Sequence, residues 1–305
     1  MLNKIFYSER YIGKNKKNGY FEGWYFRTAG ETPFAFIVGV SRADEDAHSF
    51  IQYVDTHTSC YFRFNLSDFS FEKEGMTVKV ANNFFSLYGI YADLNQNGRT
   101  VAAALTFSEM FPFKKTAFAP SAMGPFSYLP VPCSHAVISL SHTVNGALTV
   151  GGATHYIDAK GYIEKDFGYE FPKNYLWTQF NFYETSVMCA VAWPFLNNLR
   201  GFICLALHEG RQYNLSLYTG AKLHTSVLSH DAARFAVHRG KSKLAFEITN
   251  NSCAQNLLAP QNGGAMTRNI KENLSAQIKA SVVLRGAAIP LPDTLSCAYE
   301  CVIAE

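Results

Sequence analysis

Charge is scarce in this chain. Asp, Glu, Lys and Arg make up 17% of its 305 residues, against roughly a quarter in an ordinary globular protein. The 27 basic and 24 acidic residues leave a net charge of +3, too little for a protein that must neutralise many duplex phosphates, so no nucleic-acid partner is expected. Long apolar runs are missing as well. None reaches the ~18 residues of a membrane span, and Asn3, Lys4, Ser8 and Glu9 interrupt the start before a signal-peptide core could form. A cytoplasmic protein is the expectation. Seven cysteines cannot all pair, and none stands in Cys-x-x-Cys spacing. Free thiols packed as small apolar groups are expected, with no disulfide frame and no metal site. Gly-x-Gly-x-x-Gly, phosphate-loop and Gly-x-Ser-x-Gly patterns are absent, which removes the usual sequence support for nucleotide and α/β-hydrolase chemistry. No cofactor is expected.

What fills the gap is aromatic: Phe 25, Tyr 17 and Trp 3, or 15% of the chain. Disordered chains are poor in aromatics and rich in charge, so a folded chain is implied. Period-two segments recur, among them 34–40, 49–54, 76–80, 100–107, 176–183, 187–193, 202–207, 213–218, 244–249, 278–284 and 298–303. Asn97-Gly98 and Asn145-Gly146 read as hairpin turns. Helical spacing is confined to two short candidates, Asp231–Val237 and Asn269–Leu274. The fold class is therefore all-β, a barrel or sandwich. The length suggests two domains of ~150 residues each, divided near residue 150 into 1–150 and 151–305.

Three blocks carry candidate chemistry. In Gly19–Arg27, alternation puts Tyr20, Glu22, Trp24 and Phe26 on one face and Tyr25 on the other. Glu22 between aromatic rings could be a proton donor held in low dielectric. The competing reading is structural, a Trp that plugs one end of a barrel with a nearby Arg over its ring. In Gly161–Phe182, Glu164 and Asp166 share a face, so their charges repel and one tends to keep its proton; Lys165 points the other way. Trp177, Gln179 and Asn181 share a face of the following strand, suited to lining a pocket with polar anchors. In Met123–His135, a Cys133-x-His135 pair is poor spacing for a metal or for a nucleophile and base. A packing loop with a satisfied histidine is the simpler reading.

These blocks resemble the tocopherol cyclase family. The family shares the early Phe-Glu-Gly-Trp-Tyr-Phe stretch, here Phe21 to Phe26, and the segment from Met123 to His135. It also shares the run Gly-Tyr-x-Glu-Lys-Asp through Trp-x-Gln-x-Asn, here Gly161 to Asn181, and a closing segment around Leu258-Ala259-Pro260, Met266, Arg268 and Glu272. Phe167 stands where the family commonly has Trp. The resemblance implies a calycin-like architecture, two lipocalin-type β-barrels or half-barrels, and a cofactor-independent cyclase or hydratase acting on a prenylated, water-poor substrate. An acid would protonate the prenyl double bond, and an oxygen would capture the resulting cation. On that reading Glu164 or Asp166 is the acid, with Glu22 as second candidate; Trp24, Tyr25 and Trp177 surround the cation, and Gln179, Asn181 and His135 contact substrate. The rival is a non-catalytic lipid or isoprenoid carrier. Lys14-Asn15-Lys16-Lys17 could touch an anionic membrane surface or be a solvated loop.

Overall fold

The computed structural model describes residues 6–193, 200–251 and 253–304; the first five residues of the N-terminal stretch considered above lie outside them. The chain forms two compact units. The first runs to Phe171 and includes Leu257–Asn269; the second comprises Pro172–Asn256 and Ile270 onward. The division falls after Phe171, whereas residue 150 ends one of two long strands that make a hairpin within the first unit.

The first unit is a meander of eleven strands: β1 Tyr20–Thr28, β2 Phe34–Arg42, β3 His48–Asp55, β4 Ser59–Asn65, β5 Phe69–Glu72, β6 Thr77–Val80, β7 Asn83–Ser86, β8 Gly89–Gln96, β9 Arg99–Pro112, β10 Cys133–Val150 and β11 Ala153–Gly168. The sheet order is β4-β3-β2-β1-β11-β10-β9-β8-β7-β6-β5, so the first and last strands pair with each other. Its inner face is filled by one core that includes Trp24, Phe36, Tyr53, Phe62, Phe85 and Ile163. Each such buried apolar side chain stabilises the fold by about 1.5–3 kcal/mol. In β8, Ile90, Ala92 and Leu94 point inward and Tyr91 and Asp93 outward, the alternation of a strand with one wet face. β1 differs: every residue but Gly23 is buried, so both of its faces are covered.

The second sheet draws on β12 Asn174–Phe182, β13 Thr185–Trp193, β14 Gly201–His208, β15 Arg211–Asn214, β16 Lys222–Leu228, β17 Ala232–Arg239, β18 Ser242–Thr249, β19 Gln255–Gln261, β20 Ala265–Leu284, β21 Ala287–Ile289 and β22 Leu295–Val302; most of β19 and the start of β20 fall in the first unit's Leu257–Asn269 segment. The order is β15-β14-β13-β12-β22-β20-β18-β17-β16, with β19 and β21 pairing β20. Its core includes Leu176, Phe180, Phe235, Phe246, Ile278 and Tyr299. The fold is all-β, of the two-part lipocalin-like class, and its only helical turns beyond residue 10 are short 3-10 segments among the described residues.

Four local expectations are corrected. Asp231–Val237 lies almost wholly in β17 and Asn269–Leu274 within β20, because Ala233, Phe235 and Val237, and Ile270 and Leu274, are buried at period two. Residues 213–218 leave β15 at Asn214 and continue into a 3-10 turn, Leu217–Thr219. Asn145-Gly146 is no turn, since β10 runs straight through it. Gly146 (φ 146°) is needed because a Cβ there would lie 2.1 Å from the Ala104 carbonyl oxygen. The chain turns instead at Gly151-Gly152, both with positive φ.

Candidate active site

The pairing of β1 with β11 sorts the candidate residues onto two faces. Opposed residues in an antiparallel ladder share a face. Trp24 opposes Lys165 and Glu22 opposes Phe167, while Tyr25 opposes Glu164, Gly23 opposes Asp166 and Arg27 opposes Tyr162. On the other side of β11, β10 places His135 opposite Asp166 and Val137 opposite Glu164.

The inner face carries a plug. Glu22 and Lys165 are both fully buried and form an ion pair. Glu22 also accepts hydrogen bonds from Ile12 N (2.8 Å), Gly13 N (2.8 Å) and the Tyr20 hydroxyl (2.8 Å). Lys165 donates to the carbonyls of Ser8 (2.7 Å) and Arg10 (2.6 Å). Its ammonium lies 4.9 Å from the Trp24 ring centroid and 4.7 Å from that of Phe167. The Trp24 indole donates to Glu9 O at 2.8 Å. Every strong group here is spent on holding residues 8–13 against the inner face. Glu22 and Trp24 are therefore corrected: they face away from Glu164 and Asp166, and Glu22 is already a counter-ion. The cation over the Trp24 ring is Lys165 of β11 and not the nearby arginine expected of a plug.

The opposite face carries the cluster. His135 Nδ1 lies 2.9 Å from Asp166 Oδ1, and its Nε2 lies 3.5 Å from Glu164 Oε2. The Tyr162 hydroxyl donates to that same Glu164 oxygen at 2.6 Å. The side chains of His135, Glu164 and Asp166 are 13%, 8% and 20% exposed, so the group is dry at its base yet reachable. Nε2 of His135 is buried and has no hydrogen-bond partner. Burial opposes charging the imidazole, but the carboxylates of Glu164 and Asp166 outweigh it and push His135 from 6.5 up to about 9. The imidazolium thus relieves the repulsion that the sequence predicted between the two acids, a role Lys165 could not take from the other face. Burial, with the charge of Glu164 beside it, pushes the Tyr162 phenol well up.

The same geometry bears on metals. One ligand atom each from His135, Glu164 and Asp166 lies within 4.8 Å of the others. Each carboxylate, however, faces a different ring nitrogen, so one ion could not take all three without turning the imidazole. Cys133 Sγ points at Asp166 Oδ1 (3.7 Å). Burial and that negative charge raise its thiol well above 9.0, so it is no ready thiolate nucleophile. All seven cysteines are free.

The cluster opens on the outer face of β1, β2 and β3. Gly23 stands opposite Asp166, and a Cβ there would meet Ile37 at 3.7 Å and Phe50 at 3.9 Å, so the neighbourhood of the acid on β2 and β3 is largely apolar. Tyr25 is a neighbour of Glu164 across the ladder. Trp177, Gln179 and Asn181 belong to the second unit. Gln179 is fully buried, and its amide donates to Phe180 O, Asn181 Oδ1 and Ser186 Oγ. That network occupies Gln179 and Asn181 locally. Tyr162 is not among the candidate residues read from the sequence; its Tyr-x-Glu-x-Asp spacing on one strand face was the signal that it belongs with the two acids.

No protein-family profile matches the sequence, and no curated protein sequence does. Solved structures do match in fold. A protein from Nitrosomonas europaea assigned as AttH superposes with a TM-score of 0.55 at 10% identity, covering 92% of both chains. CghA, solved with Sch210972, gives 0.58 at 11% identity over 93% of this chain and 89% of that one. Kievitone hydratase from Nectria haematococca gives 0.51 at 12% identity over 93% and 88%. At these identities the likeness is one of fold.

Proposed function

We propose that the chain is an acid-base enzyme of the cyclase or hydratase type, acting on a prenylated, water-poor substrate at the His135–Glu164–Asp166 cluster. The observation that carries this reading is the buried imidazole of His135, held at Nδ1 by Asp166 (2.9 Å) and with Nε2 3.5 Å from the Glu164 carboxylate that Tyr162 orients. The His135 imidazolium favours the Glu164 carboxylate, so Glu164 acts in the minority form of the cluster in which it too carries a proton, and is then a correspondingly strong acid. Glu164 gives that proton to the prenyl double bond, forming a C–H bond and a tertiary cation. A phenol oxygen of the substrate, or water, attacks the cation and then loses its own proton, which returns to the cluster. Ring closure conserves mass, and hydration adds one water. Tyr25 and the ring of Phe50 lie beside the cluster, where a cation would need an aromatic face.

The finer form of the proposal is a tocopherol cyclase-like closure of a prenylated quinol to a chromanol. A hydratase among the fold neighbours makes water addition the companion reaction. A carrier would hold its ligand inside the barrel, and the inner face of the first unit is filled by its own core. Incubation with a panel of prenylated quinols, read by mass spectrometry, tests the proposal through either a mass-neutral isomer or a product one water heavier. Glu164→Gln and Asp166→Asn should remain folded, and at least one should lose about a hundredfold in turnover, the scale of a lost general acid. Unimpaired turnover in both variants and in His135→Ala would refute the assignment.

A further inference from the structure

The outer face of the first unit carries a line of exposed aromatic residues at the end of the sheet away from the plug. Lys79, Phe84, Tyr91, Ala104, Ala147 and Tyr156 oppose one another in turn across β6, β7, β8, β9, β10 and β11, so they form a single transverse row. Phe84 is 38% exposed, Tyr91 54% and Tyr156 90%. Scattered exposed aromatics are ordinary, but three in one row of a sheet are a patch. Tyr91 and Tyr156 sit three strands apart, about 14 Å at the usual inter-strand spacing, with only the methyl groups of Ala104 and Ala147 between them.

The flanking rows are polar. Asp93, Thr149 and Thr154, with Ala102 between them, lie on one side, and Thr106, Asn145 and Asp158, beside Gly89, on the other. The one cation of the aromatic row, Lys79, is paired with Glu72 and lies over the Phe84 ring. An anionic ligand or anionic membrane would therefore meet Asp93 and Asp158 with no free cation in the row. A neutral polyhydroxylated chain fits. Its C–H faces pack on Tyr91 and Tyr156, the alanines leave room for it to lie flat, and the bordering Asp, Asn and Thr groups exchange hydrogen bonds with its hydroxyls.

We infer that this face is a binding site for a neutral oligosaccharide, separate from the His135 cluster. The full chain would be applied to an array of neutral oligosaccharides, and the strongest hit titrated by calorimetry against Tyr91→Ala, Tyr156→Ala and, as a control on an exposed tyrosine of the second unit, Tyr183→Ala. All three remove exposed side chains, and circular dichroism confirms that the fold is kept. The inference expects retention of at least one glycan, a tenfold or greater loss of affinity in Tyr91→Ala and Tyr156→Ala, and no change in Tyr183→Ala. Failure to bind any neutral glycan, or binding that survives both substitutions, overturns it. Sedimentation with phosphatidylcholine vesicles that Tyr156→Ala abolishes, without glycan binding, overturns it in favour of a lipid surface.

Discussion

Lys165→Met isolates the structural half of the Glu-Lys-Asp motif. The substitution keeps the apolar stem over Trp24 and removes the ammonium, so the carbonyls of Ser8 and Arg10 lose their donor and Glu22 loses its counter-ion. Breaking a fully buried pair costs about 3–5 kcal/mol because the remaining charge is uncompensated. Here Glu22 keeps Ile12 N, Gly13 N and the Tyr20 hydroxyl, which places Lys165→Met near the lower end, about 3 kcal/mol. Glu22→Gln should cost more, about 4–5 kcal/mol, because its amide NH2 would face backbone N–H groups that need an acceptor. The double variant Glu22→Leu/Lys165→Met should be less destabilised than the sum of its single variants by at least about 2 kcal/mol, the coupling expected of a direct pair. Equilibrium urea unfolding reads the stabilities, and hydrogen exchange reads residues 8–13, which should lose protection first. Lys165→Met within 1 kcal/mol of the parent, with unchanged exchange at residues 8–13, would show that the plug reasoning is wrong.

Three further outcomes follow from the geometry. His135 has a folded value of about 9 against 6.5 free, so its stabilising contribution, roughly 3 kcal/mol at 1.36 per tenfold, is fully present below pH 6.5 and is lost as pH rises through about 9; melting temperature against pH should fall over that window and flatten in His135→Asn. Tyr162→Phe removes the hydroxyl that orients Glu164 and should lower turnover about tenfold with a stability loss near 1 kcal/mol, checked by steady-state kinetics beside thermal unfolding. Gly39→Ala should cost about 2 kcal/mol or more, since its Cβ would lie 2.2 Å from the Glu22 carbonyl oxygen, whereas Gly23→Ala meets only ordinary contacts and should leave the melting temperature nearly unchanged.

Sequence periodicity made the fold class legible because strand alternation is local: Leu244, Phe246 and Ile248 announce β18 without reference to anything else. It misjudged Asp231–Val237, where Ala233 and Ala236 dilute the alternation, and Asn145-Gly146, where the glycine answers a neighbouring carbonyl that no sequence displays. The site was half legible. Alternation placed Glu164 and Asp166 together and turned Lys165 away, but what each face meets depends on β1 and β10, more than 100 and about 30 residues distant in sequence. That pairing made Glu22 a counter-ion and brought His135 from an apparent packing loop to the centre of the cluster. A strand covered on both faces such as β1 also defeats the usual signal, since burial alone does not say whether the face with Glu22 or the face with Tyr25 meets the acids.

The two faces of β11 depend on each other through register. Side chains alternate with period two, so a slip of one residue would turn Lys165 outward and Glu164 and Asp166 inward. Such a slip would remove the ammonium from Glu22, Ser8 and Arg10 and set carboxylates against Trp24 and the barrel core, a buried-charge cost of several kcal/mol. The inner ion pair thus fixes the register that presents the two acids to His135 on the outer face. Asp166 and Glu164 then sit on a strand whose other side is immobilised by the plug, which limits how far the carboxylates can drift from the imidazole. A motif of alternating acid, base and acid therefore divides by parity: the two acids meet His135 on the outer face, and the central lysine is committed to structure on the inner one. The same division predicts which defects separate, with Lys165 variants losing stability first and Glu164, Asp166 and His135 variants losing turnover while the first unit stays folded.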